Sequence, residues 1–218
     1  MINELINISN SEDFYQNCDL ITESYSFNTK EKVFELIVSV NQISYDHPVE
    51  YQEWKITCKE TMKINGFDLD LMMPYVKMKI MDKHPLLWLY HEDKLYYELK
   101  GTPKNIYELG FDLINMFETE TGNWIPFHKA LWNFKQRLEA EKTTISIPAP
   151  LQKSLEIILN KQELSFKLTG QYSGEKKGYA DKPETKILMF GNSDVSPYEY
   201  SLGQPYIIAE DFKAERIK

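Results

Sequence analysis

The chain has 218 residues, a formal net charge of −8, 42% hydrophobic and 27% charged residues. That length suits one large domain or two small ones, and the composition speaks against a disordered chain. The acidic balance, with Arg137 and Arg216 as its only arginines, removes the material for gripping phosphate or guanine, so no nucleic-acid partner is expected.

Residues 1–32 read as an N-terminal arm or short helix. Ser11 is placed to cap a helix whose first turn holds Glu12 and Asp13. Met1 to Leu5 has neither the basic stretch nor the apolar core of a signal peptide. No run approaches the roughly 18 apolar residues of a membrane helix. A cytoplasmic protein without a membrane partner is therefore expected.

From Val33 the character changes to strand. Val33–Val40 is rich in β-branched and aromatic residues. Residues 52–60 alternate, with Trp54, Ile56 and Cys58 on one face. Tyr75–Ile80, Pro85–Tyr90 and Leu95–Lys100 complete five expected strands with short links, which suggests an antiparallel meander. Thr102 and Pro103 then open an expected helix, with Ile106, Leu109, Leu113, Ile114 and Phe117 at helical spacing and a stop at Thr121-Gly122. Residues 126–134 read as a second helix.

Thr143–Pro150 is extended and marks the expected start of a C-terminal α/β extension, 143–218, packed on the same core. Leu151, Leu155, Ile158 and Leu159 form an amphipathic helix. Leu164–Thr169, Lys186–Phe190 and Tyr206–Ala209 read as strands, and 174–184 as a loop. The fold class expected is α+β: an N-terminal antiparallel meander covered by helices over 33–142, and a smaller helix-and-strand segment behind it.

Motifs for chemistry are absent. Cys18 and Cys58 read as reduced, buried thiols rather than a disulfide framework. The four histidines, His47, His84, His91 and His128, have no metal-ligand spacing. His84 and His91 flank one extended segment and would stand more than ~20 Å apart. Acids at Asp68 and Asp70 follow Gly66, the wrong order for a calcium loop. Gly174–Gly178 has neither the spacing nor the context of a phosphate-binding loop. No cofactor and no metal are expected.

Aromatic residues reach 13%, with 14 tyrosines. Tyr and Trp are enriched at protein contact sites. Trp88, Tyr97, Trp124, His128 and Trp132 are the candidate ligand or partner contacts. The reading that follows is a non-enzymatic protein-interaction module, in one version an acidic inhibitor or immunity-type protein for a basic partner. The alternative is an enzyme or ligand binder with a pocket assembled from dispersed residues, His128, His84, Asp112 and Glu118 first among them.

Overall fold

The computed structural model describes residues 2–42, 51–68, 72–74, 76–90, 92–122, 124–125, 127, 136, 140, 142–172, 185–191 and 205–218. The elements are α1 (Ile2–Ser9), α2 (Glu12–Asn17), β1 (Cys18–Asn28), β2 (Val33–Gln42), β3 (Glu53–Lys59), β4 (Lys63–Asn65), β5 (Met72–Pro74) and β6 (Lys77–Met81). A 3-10 turn (Pro85–Leu89), β7 (Lys94–Lys100), α3 (Ile106–Thr121) and β8 (Lys142–Pro148) follow. After a short 3-10 turn come α4 (Gln152–Lys161), β9 (Ser165–Tyr172), β10 (Lys186–Gly191), β11 (Tyr206–Ala209) and β12 (Asp211–Arg216).

The expected α+β meander covered by helices is corrected by this architecture. The described residues are predominantly β and build three antiparallel sheets, ordered β12-β3-β2-β1-β5, β4-β11-β10-β6 and β8-β7-β9. Segments that the sequence placed in one meander are divided among all three. Pro85–Leu89 is not a strand at all but a 3-10 turn, started by His84, whose Nδ1 accepts from the Leu86 N–H at 3.2 Å. The reason is that apolar patterning sets which residues are buried, not which distant strand covers them. The final strand β12, for example, pairs with β3 across most of the chain length.

Two compact units result: Met1–Lys83 with Glu184–Ser196 and Ser201–Lys218, and His84–Pro183 with Pro197–Tyr200. The first unit holds the five- and four-stranded sheets. Alternation works there as physics requires: Trp54, Ile56 and Cys58 are buried on β3, while the residues between them stay half exposed. Phe34 of β2 meets Phe67 at 6.2 Å, and Phe67 meets Phe190 of β10 edge-on at 5.2 Å, so one aromatic line joins the two sheets. Leu5 of α1 and Phe14 of α2 close the same core.

The second unit is a three-stranded sheet with two helices on one face. Leu95, Tyr97 and Leu99 of β7 and Ile145 and Ile147 of β8 point inward. They meet Leu109, Leu113, Met116 and Phe117 of α3 and Leu155 and Leu159 of α4.

Candidate functional site

α3 is held at both ends. The sequence places its cap at Thr102; the structure places it at Asn105, whose side-chain oxygen accepts from the N–H groups of Tyr107 (3.0 Å) and Glu108 (3.2 Å). Pro103 therefore precedes the helix rather than opening it. The backbone N–H of Asn105 donates to Oε1 of the buried Gln162, just beyond α4. Lys161 of α4 bonds Asp112 at 2.7 Å and Glu108 at 2.9 Å. At the other end Ser154 donates to Glu120 at 2.8 Å, and Gly122 terminates α3 in the left-handed region at φ 58°. These contacts make α3 and α4 antiparallel neighbours.

One face of α3 is fully used. Leu109, Leu113, Met116 and Phe117 span about 100° of arc and are buried. A second apolar stripe lies about 140° away on the same helix, because Tyr107, Phe111, Ile114 and Glu118 fall at i, i+4, i+7 and i+11. Tyr107 is 79% exposed, Phe111 69% and Ile114 40%. Leaving such side chains in water forgoes roughly 1–2 kcal/mol each relative to burial. A contiguous exposed apolar stripe is unusual on a surface that has no use for it.

The electrostatics of α3 are equally one-sided. Its four charges are Glu108, Asp112, Glu118 and Glu120, with no lysine or arginine. Lys161 answers the first two, and its contact holds the Glu108 carboxyl below the usual carboxylate range. Asp112, then Glu108, raise the Lys161 ammonium in turn. Glu118 and Glu120 occupy the last turn, where the helix dipole is already negative; a carboxylate there costs about 0.3–1 kcal/mol.

Of the residues singled out from sequence, several are buried. Tyr97 is buried, and its hydroxyl donates to Glu156 at 2.6 Å while Gln152 donates to the same oxygen at 3.0 Å. Burial, reinforced by the Glu156 carboxylate, pushes the phenol up to about 12. Trp88 is half buried against the core of the second unit. Trp124 is buried and stands edge-on to His84, ring centres 4.8 Å apart. His84 is buried too; burial lowers its imidazole to about 4, so it is neutral at pH 7. Its Nε2 has no hydrogen-bond partner among the described residues. His128 and Trp132, with His47 and His91, lie outside the described residues. Asp112 is spent on Lys161 and Glu118 faces solvent, so they form no carboxylate pair.

Grooves also occur among the described residues. One of about 370 Å³ runs between α3 and α4, lined by Asp112, Asn115, Met116, Ser154, Ile157 and Lys161. Another, of about 500 Å³ in the first unit, lies between α1 and the β12 edge and mixes Lys55, Lys213, Asp211 and Glu215. Among the described residues no cluster of three His, Cys, Asp or Glu could hold a metal ion. Cys18 and Cys58 are free and buried, and burial pushes the Cys58 thiol up to about 12, which makes it a poor nucleophile. No helix among the described residues is long and apolar enough to cross a membrane.

The sequence reading missed Tyr107 and Phe111 and counted Ile114 with the core. The signal was present as a second i, i+4, i+7 series displaced from the Leu109–Leu113 series. No protein-family model matches the chain, and no curated protein or solved structure shows significant similarity to it.

Proposed function

We propose that this chain is a non-enzymatic protein-interaction module for a basic partner, and that α3 carries the docking face. The observation that supports this reading is the second apolar stripe, Tyr107-Phe111-Ile114, exposed on a helix whose other face already satisfies the core. Aromatic residues displayed on a rigid element lose little entropy when a partner covers them. The acids of α3 and the net charge of −8 favour a cationic partner and speed its encounter. Neutralising such a partner, as an inhibitor or immunity-type protein does, fits that chemistry.

Size-exclusion chromatography of the tagged chain in native lysate, at low and high salt, tests the reading. A defined complex that weakens with salt and disappears in Phe111→Ser is expected. Elution of the chain alone under every condition, or a complex indifferent to Phe111→Ser, would reject it.

A further inference from the structure

Resting on that reading, we infer that the partner presents a single cationic amphipathic helix, which lies along α3 and sets a lysine or arginine against Glu118. Three features of α3 carry this.

The stripe is one residue wide. Tyr107, Phe111, Ile114 and Glu118 fall within about 60° of arc, one side chain per turn over three turns. That is the geometry of a helix seam, in which each exposed side chain enters a hole between residues of a facing helix. A broad apolar surface would suit a sheet or a globular face instead.

Beside the stripe, on the flank away from Glu108 and Asp112, stands Gly110. A glycine inside a helix sacrifices stability, and here it leaves no side chain between Tyr107 and Ile114 on that flank. A facing helix backbone can approach closely there.

Charge then selects the occupant. α3 has no cation of its own, so a second copy of the chain would set carboxylates against carboxylates. An anionic membrane would be repelled for the same reason. Glu118 ends the stripe at the negative end of the helix dipole, whereas Glu120, about 160° round the helix, accepts from Ser154 of α4. A lysine or arginine at the corresponding end of a partner helix meets both the dipole and the Glu118 carboxylate.

The test uses the full chain and two fluorescein-labelled synthetic helices of roughly four turns, about 14 residues, with one leucine seam in common. One peptide has lysine flanks and the other glutamate flanks. In fluorescence anisotropy the lysine peptide is expected to bind and the glutamate peptide not. Phe111→Ser should weaken binding about tenfold. Glu118→Gln should weaken it about two- to fivefold at low salt and little at high salt. Gly110→Gln should weaken it with no loss of thermal stability, since glutamine favours helix more than glycine does. Circular dichroism melts of each variant separate lost binding from lost folding.

Equal binding of both peptides, or binding unaffected by Phe111→Ser, would overturn the inference. So would Phe111-dependent self-association by light scattering, or Phe111-dependent binding to phosphatidylserine vesicles. If neither peptide binds while the salt-sensitive complex from lysate still depends on Phe111, the helical partner is rejected and the interaction module stands. If that complex is indifferent to Phe111, the docking face itself is wrong.

Discussion

β10 and α3 are both apolar on two faces, yet they end in opposite situations. In β10, Ile187, Leu188, Met189 and Phe190 are all fully buried, with β11 and β6 as flanking strands. In α3 the Leu109–Phe117 face is covered by sheet and helix, while Tyr107, Phe111 and Ile114 stand in solvent. Two-sided apolarity is therefore no signal of binding by itself. It becomes one when the fold covers a single side and leaves the other displayed on an element fixed at both ends.

Truncation in the covered regions should have the largest effect. Leu188→Ala in β10 and Leu113→Ala on the inner face of α3 should each cost about 2–5 kcal/mol in urea unfolding. Phe111→Ser, only two residues from Leu113, should change stability by about 0.5 kcal/mol or less. Comparable losses from Leu113→Ala and Phe111→Ser would break the comparison, because the outer face would then be covered in solution.

Next in size is the acid response of the covered interior. His84 is held at about 4, below its ordinary value near 6.5, because burial disfavours the charged imidazolium. Its folded pKa is depressed, so the unfolded chain binds the proton first. The associated stability is present above about pH 6.5 and is lost as pH falls through that value toward 4, on the order of 3 kcal/mol in all. His84→Asn keeps an acceptor for the Leu86 N–H but does not titrate. Urea titrations from pH 7 to about 4 should show a shallower loss in this variant.

A smaller effect is expected at Tyr97. Removing its hydroxyl in Tyr97→Phe should cost about 1–2 kcal/mol, since Glu156 keeps only the Gln152 donor described here. The phenol is raised to about 12, so its contribution is complete below pH 10 and lost as pH climbs through 10 to 12. Thermal melts across that range should fall more steeply for the wild-type chain than for Tyr97→Phe.

The smallest change sharpens the comparison from the other side. Gly110→Ala should raise stability by about 0.5–1 kcal/mol, because alanine restores helix propensity at a site beside the exposed stripe. A gain in stability paired with weaker peptide binding would show that Gly110 serves the outer face. A loss in stability would place it in a packed contact instead.

Much of the local structure was legible in the sequence. The alternation at Trp54, Ile56 and Cys58 marks β3, the run Lys186–Phe190 marks β10, and Leu155 and Leu159 mark the inner face of α4. Other elements were not legible. β1 spans Cys18–Asn28, a stretch that reads as a polar arm because its second half, Glu23–Asn28, is exposed and shows no alternation in burial. Pro85–Leu89 carries the composition of a central strand, but Pro85 and the His84 cap turn it into a 3-10 turn. Tyr97, a candidate contact in the sequence, lies on the inward face of β7 opposite Ile145 of β8, while Tyr96 faces out.

The sequence by itself determined the charge, the poverty in arginine, the absence of familiar catalytic spacings and the apolar periods of single elements. Those properties depend on residue type and local order alone. Only the tertiary structure decided that strands from both ends of the chain share sheets, that His84 and Tyr97 are interior, and that Tyr107, Phe111 and Ile114 are left outside. Each of these depends on which distant element covers a given face, and a one-dimensional period carries no record of its cover.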